Sequence, residues 1–348
     1  MIPVIICGGV GTKMWPLSTP TSPKHFLPFV NGESLFQANW RILRKRFPPE
    51  EIYLQTNASQ AKIAHSQVPE IVTKNIFIET ETKNQGPATG LAAANLIKLG
   101  KGDEVFMLIQ VDDMRSPEDT IFDFMDLAEK YAKETNKYIT SGFAPKWHQS
   151  GVDYLLKGKL LDEASGVKIF EIADYIDRSE VERIKDHMNK GDLLVHTNHT
   201  TMTPNGLLKM YQEYKPEWYK PLKKIAEGGD VAAEFGKMPK GTLEEITQQV
   251  HRKGKSLVIE NPFEWIDFGT WEAVSKYYDA TENFPPSGGT VEIDGDTNFL
   301  WSESGKIIAT IGMENIVVIE SDKGILVTQK ASSAKVSQVV DRINSGDL

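Results

Sequence analysis

Pro3-Val-Ile-Ile-Cys7 running into Gly8-Gly-Val-Gly-Thr-Lys-Met-Trp-Pro-Leu-Ser18 is the stretch that decides the fold of this chain. The first part is a short, apolar, β-branched run, the pattern of a strand buried on both faces. Gly8, Gly9 and Gly11 come straight off it. Glycines there let backbone approach a ligand with no side chain in the way, and exposed amides in such a turn can cradle phosphate. Lys13, and Lys24 after Pro23, add positive charge. The glycine spacing is not that of the dinucleotide fingerprint, and no Gly-Lys-Ser/Thr ending of a Walker loop follows. A dinucleotide-dependent oxidoreductase is therefore excluded.

Working outward, the strand pattern recurs at Glu51–Gln55, Asn75–Glu79 and Glu104–Gln110. Helical stretches alternate with it at Leu35–Arg46, Ala58–Gln67, Pro87–Leu99 and Pro117–Glu134, with Pro87 and Pro117 in first turns, where a helix tolerates proline. This alternation predicts an α/β fold: a Rossmann-like, mostly parallel sheet with helices on both faces, whose ligands lie beyond the carboxyl ends of the strands. After Thr140 the regularity loosens. Strands are expected at Tyr138–Phe143, Tyr154–Leu161 and Val167–Ile176, a helix at Ser179–Asn189, an extended stretch at Asp192–Thr203, helices to Val250 and a strand at Ser256–Glu260.

The breaker cluster Asn283–Gly289 marks a boundary that divides the chain into residues 1–283 and 284–348. Beyond it stand short strand candidates at Thr290–Ile293, Asn298–Trp301, Lys306–Ile311, Ile316–Glu320 and Gly324–Thr328. Asp294-Gly295 and Ser304-Gly305 mark tight turns, and a helix closes the chain from Ser333 to Ile343. So small a β domain is too short to fold alone. It is expected to pack on the first domain or on another subunit, and a homodimer is expected.

Composition narrows the class. A net charge of -9, spread along the chain, argues against nucleic acid or an anionic membrane as partner, while a phosphorylated small molecule needs only a locally positive pocket. Cys7 is the single cysteine, which excludes an intramolecular disulfide and a Cys-rich zinc site and fits a reducing cytoplasm. The N-terminal residues lack a basic region and a long apolar run, and no stretch nears the ~18 apolar residues of a membrane span. A soluble, cytoplasmic protein is expected.

Gly8–Ser18 with Pro23-Lys24 resembles the GGxGTRLWPLS…PK signature of the sugar nucleotidyltransferases. The Trp-Pro-Leu-Ser variant and the following Phe26-Leu27 are most similar to the mannose-1-phosphate guanylyltransferases. The resemblance implies that Gly8, Gly9, Gly11 and Thr12 hold the nucleotide and that Lys13 and Lys24 are the catalytic cations. Lys13 stands where the family has Arg, which keeps the charge and loses the bidentate fork; His25 replaces a Gln. Glu79-Thr-Glu-Thr-Lys-Asn-Gln-Gly-Pro-Ala88 is similar to the family's EPxxRNTAPA, which implies a base pocket lined by Asn84, Pro87 and Ala88, with a preference for guanine. Val111-Asp-Asp113 falls on the family's PADH, with Asp113 in place of its His, and Trp265-Ile-Asp-Phe-Gly-Thr-Trp271 falls on WxDVGSW. Asp112 and Asp267 are thereby implied as ligands of Mg2+, which binds through few carboxylates and bridges substrate phosphates.

The sugar half departs further. Ser150-Gly-Val-Asp-Tyr-Leu155 resembles TGYGYI with Asp153 in place of a glycine, and Ile172-Ala-Asp-Tyr-Ile-Asp177 stands for FxEKPD. Tyr175 thus occupies the place of a phosphate-binding Lys. Val195-His-Thr-Asn-His-Thr200 corresponds to WNSGMF, and the acidic DYAVME-type segment is represented near Glu244-Glu245. The implied sugar residues are Gly151, Asp174, Tyr175 and Asn198. His196 and His199, if protonated, are the candidates to replace the missing charge, and Tyr175→Lys is expected to raise turnover. The resemblance continues through Ile307–Leu326. It implies an enzyme that joins a nucleoside triphosphate, GTP by likeness, to a sugar 1-phosphate. The departures leave two alternatives open: a different sugar phosphate, or a weakly active or inactive relative that binds nucleotide as a regulatory or assembly partner.

Overall fold

The computed structural model describes residues 1–9, 11–149, 151–280 and 289–346, without the side chains of Asp113, Trp265 and Asp267. Strand β1 (Ile2–Ile6) is central, as its unbroken apolar run requires. It pairs in parallel with β2 (Tyr53–Asn57) on one side and β4 (Phe106–Gln110) on the other, and β3 (Ile76–Glu79) extends the sheet beyond β2, also parallel. Crossovers run through α1 (Leu35–Arg44), α2 (Ala58–Gln67) and α3 (Gln85–Lys98). Ser34 opens α1 with a reciprocal capping box to Gln37.

The sheet then changes character. A short β5 (Asp113–Ser116) precedes α4 (Thr120–Thr135), which starts three residues after Pro117 rather than on it. Strand β6 (Tyr138–Phe143) is followed by a long hairpin, β7 (Tyr154–Ala164) and β8 (Val167–Ile176), turned at Ser165 and Gly166, both with positive φ as a type I′ turn needs. Helix α5 (Val181–Lys190), β9 (Leu193–His196), β10 (Thr201–Met202), helices α6 (Pro204–Tyr214), α7 (Pro216–Ala226), α8 (Val231–Phe235) and α9 (Glu244–Arg252), and β11 (Ser256–Glu260) complete it. The order is β11-β8-β7-β9-β6-β10-β4-β1-β2-β3, and an extra β11–β6 pairing closes β6, β9, β7, β8 and β11 into a ring. The result is a mixed sheet with helices, parallel in its first four strands and at β6–β11, because strands joined by a tight hairpin can only pair antiparallel. Strand β12 (Glu264–Asp267) pairs antiparallel with β5, a two-stranded unit that the sequence pattern does not announce, and α10 (Trp271–Ala280) follows.

The expected boundary at Asn283–Gly289 lies outside the described residues except for Gly289. Beyond it come β13 (Thr290–Ile293), β14 (Phe299–Ser302), β15 (Ile308–Ile311), β16 (Ile316–Ser321), β17 (Gly324–Gln329) and α11 (Val336–Ser345). The expected turns at Asp294 and Gly305 have positive φ, yet they do not make hairpins. β13 pairs in parallel with β15 and β14 in parallel with β16, so the chain coils past itself before one hairpin, β16–β17, ends the coil. Among the described residues no helix is long and apolar enough to cross a membrane.

Candidate active site

Beyond the end of β1 the chain opens onto free space: a Cβ added at Gly8 or Gly9 would meet nothing within 4 Å. Gly11 is different. Its φ is +80°, and a Cβ there would lie 2.5 Å from Cγ of Lys24, so only glycine lets the Lys24 stem pass. Thr12–Met14 form one 3-10 turn, with Thr12 and Lys13 exposed and Met14 in the core. The loop is pinned from the side. Gln60 Nε2 donates to the Gly9 carbonyl at 2.7 Å, and His25 Nε2 lies 2.7 Å from the Gly8 carbonyl. Burial lowers the His25 pKa, which the Asp112 charge opposes, so the ring that stands where the family has Gln serves as a neutral tether.

Lys24 Nζ donates to Asp112 Oδ2 at 2.7 Å and to the Phe268 carbonyl at 3.4 Å. Burial alone would raise the Asp112 carboxyl, but the Lys24 ammonium, through its charge and its hydrogen bond, overrides it and holds it below the usual carboxylate range. The Phe268 amide donates to the Asp112 carbonyl, and Asp267 stands opposite Asp113 in the β5–β12 ladder. The backbone therefore brings the segments of Asp112 and Asp267 together; the Asp267 side chain lies outside the described residues.

Asn84 is exposed, has φ +71° and caps α3 through its own Oδ1, which accepts from the Gln85 amide at 2.8 Å. Pro87 and Ala88 are buried in the first turn of that helix. Gln55 ties this segment to the sheet: its Nε2 donates to the Ala88 carbonyl at 2.7 Å and to Glu79 Oε1 at 2.8 Å, while its carbonyl accepts from the Cys7 amide. Glu79, at the end of β3, stands two strand spacings from the glycine loop, roughly 10 Å. Its pKa is raised by burial, with Gln55 opposing.

The residues expected on the sugar side are only partly gathered. Gly151 is exposed, and its carbonyl accepts from Arg178 Nη1 at 2.7 Å. That guanidinium grips buried Asp153 at 2.9 and 2.6 Å, with Glu244 3.8 Å away. Arg178 follows the family's EKPD-like position and carries no pattern of its own, so sequence reading missed it. Asp174 pairs with Arg183, and Asn198, at φ +61°, buries an Oδ1 that has no hydrogen-bond partner among the described residues. Tyr175 lies elsewhere. It is 1% exposed, stacks on His251 at 5.9 Å and belongs to a core of Leu155, Ile172, Leu194 and Val258 inside the strand ring.

The expectation of positive charge from histidine fails here. His196 is buried with Nε2 3.0 Å from Thr140 Oγ1, and burial lowers its pKa to about 4, against a weaker pull from Asp153. His199 is lowered by burial, and further by Arg115, to about 3. Both are neutral near pH 7, because nothing beside them repays the desolvation of a cation.

Residues 2–154 match the nucleotidyl transferase family, and residues 288–343 match the MannoseP isomerase/GMP-like beta-helix domain. The chain is similar to the xanthan biosynthesis protein XanB of Xanthomonas campestris pv. campestris, at 24% identity over 99% of this chain and 73% of that protein. It is 22% identical to a mannose-1-phosphate guanylyltransferase of Klebsiella pneumoniae over 98% of this chain and 73% of the relative. Among solved structures, a mannose-1-phosphate geranyltransferase from Thermus thermophilus superposes with a TM-score of 0.86 at 20% identity, covering 99% of both chains. The glycine loop with its paired Lys24 and Asp112 lies within the residues that match the nucleotidyl transferase family, and the parallel strand coil lies within those that match the MannoseP isomerase/GMP-like beta-helix domain.

Proposed function

We propose that this protein transfers a guanylyl group from GTP to mannose 1-phosphate, giving GDP-mannose and pyrophosphate. One observation carries the reading: an open glycine loop bearing exposed Lys13 lies beside a buried lysine paired to a carboxylate. The attacking oxygen belongs to a phosphate already ionised near neutral pH, so no strong base is required. The work is positioning and charge neutralisation at the α-phosphate. Gly8, Gly9, Gly11 and Thr12 offer backbone to the phosphates, Lys13 and Lys24 offer charge, and Asn84, Pro87 and Ala88 border the base.

Asp112 and Asp267 would hold Mg2+. The Asp112 carboxylate suits it: a hard oxygen donor, ionised, about a third exposed, and paired with Lys24 through Oδ2. When bound, the ion supplies positive charge at the substrate phosphates. Gly151, Asp174 and Asn198 remain the sugar-side residues of this reading; Tyr175 is withdrawn because it is core.

The division into residues 1–283 and 284–348, a homodimer and a cytoplasmic site of action belong to the same proposal. The dimer reading is supported by the exposed apolar side chains of Val291, Ile293, Ile307 and Ile311 on and beside the β13–β15 pair. A parallel pair is normally covered on both faces, and a second copy of the chain would cover this one.

The test is incubation with Mg2+, each nucleoside triphosphate and a panel of sugar 1-phosphates, reading pyrophosphate release. Release with GTP and mannose 1-phosphate is expected, and release with another pair would reassign the substrates. A second reading, a nucleotide-binding relative without turnover, is favoured by the burial of Tyr175 where a phosphate-binding cation was expected. GTP binding with no release on any pair would select it.

A further inference from the structure

We infer that the C-terminal coil is a working part of the nucleotide site: through Trp15 it holds the Thr12–Met14 turn, and Lys13 with it, in position. The inference rests on the reading of the glycine loop as the phosphate site.

The Thr12–Met14 turn has no side-chain cap, so its geometry is set by what Met14 and Trp15 touch. The Trp15 carbonyl accepts from Trp271 Nε1 at 3.0 Å, and the next carbonyl, that of Pro16, accepts from Ser321 Oγ at 3.4 Å. The Trp15 ring reaches the β16–β17 hairpin at Gly324. A Cβ there would lie 2.8 and 2.9 Å from ring carbons Cζ2 and Cη2, and the Gly324 φ of +154° is one that side-chain-bearing residues rarely adopt. The hairpin is thus fitted to the ring.

Packing extends the link. Met14 and Leu17 share one apolar core with Phe299, Trp301, Val317, Ile319 and Leu326 of the coil. The same core holds Phe268 and Trp271, which follow Asp267, and the Phe268 carbonyl accepts from Lys24. The turn that carries Lys13 and the segment after Asp267 therefore stand on one support. Close-packed interiors pass a displacement on rather than absorb it, so a shift of the coil moves both segments. Trp15 is a positioning residue in this scheme, acting through Lys13.

The test uses the full chain, with GTP affinity read by calorimetry and KM read for each substrate. Gly324→Ala is expected to weaken GTP at least tenfold, with the KM for sugar phosphate changed less than twofold and cooperative melting retained. Lys323→Ala, an exposed neighbour in the same hairpin, should leave GTP affinity within twofold. Trp15→Phe removes the outer ring carbons, so adding it to Gly324→Ala should restore most of the lost affinity, an effect that general destabilisation of the coil would not produce. Should Gly324→Ala alone fail to fold, the double variant and Trp15→Phe alone carry the test, with a threefold or larger loss of GTP affinity expected for Trp15→Phe. Folded Gly324→Ala or Trp15→Phe protein that binds GTP within twofold of wild type overturns the inference. Wild-type protein that binds no nucleotide overturns the reading of the loop, and the inference with it.

Discussion

Lys24 and Asp112, 88 residues apart in sequence, meet as a 2.7 Å ion pair where the ends of β1 and β4 lie side by side. The pair does two things at once. It keeps the half-buried carboxylate ionised, and it keeps a cation beside the glycine loop.

Asp112→Asn keeps the shape and removes the charge. Turnover at saturating Mg2+ should fall by about 100-fold or more, the scale found when one charge-stabilising group is lost. The ligand-free melting temperature should shift by only a few degrees. Near-normal turnover would remove Asp112 from the site.

Gly11→Val should abolish nucleotide binding and lower stability together. The residue would have to hold a φ of +80° with a branched side chain, a strain of about 1–3 kcal/mol, and would displace the Lys24 stem. Denaturant unfolding combined with GTP titration checks both halves; a variant that binds GTP normally would show that the loop tolerates bulk.

Tyr175→Lys, expected from sequence to improve turnover, should do the opposite. It places an ammonium in a core beside His251 and His196, with the Arg252 guanidinium over the same ring position. A loss of about 3 kcal/mol or more is expected, as for other unpaired buried charges. A thermal melt decides it: a stable variant with raised turnover would return Tyr175 to the sugar pocket.

Acid should destabilise the fold below neutrality. His25, His196, His199 and His251 all have pKa values lowered by burial. A histidine held neutral in the fold takes a proton more readily once unfolded. Its contribution is therefore whole above the unfolded value near 6.5 and is lost as pH falls toward the folded one, about 4 for His196 and about 3 for His199. Each such group costs up to about 1.4 kcal/mol per pH unit in that window. Melting temperatures from pH 7 to 5 should fall, and His196→Gln, whose amide can still meet Thr140, should flatten the slope. An unchanged melting temperature at pH 5 would contradict the assignment.

Much of the first half was legible because its signals are local. The apolar run of β1, the glycines at its end and the alternation through α3 each follow from short-range sterics and burial, and the strands appear where the pattern puts them. The C-terminal strands were legible as strands for the same reason. Their parallel coil was not, since a turn residue such as Asp294 fixes a local φ and says nothing about which later strand pairs.

What the sequence by itself determined is the chemistry available: glycine backbone, two lysines and two aspartates in one order along the chain. Tertiary structure decided which of these residues meet and in what charge state. Lys24 reaches Asp112, Arg178 claims Asp153, and Tyr175, His196 and His199 go into the interior. The physical reason is that charge and hydrogen bonding depend on burial and on neighbours distant in sequence. Closure of the strand ring through β6–β11 decides that burial, and one shared apolar core decides that the signature loop rests on the far end of the chain.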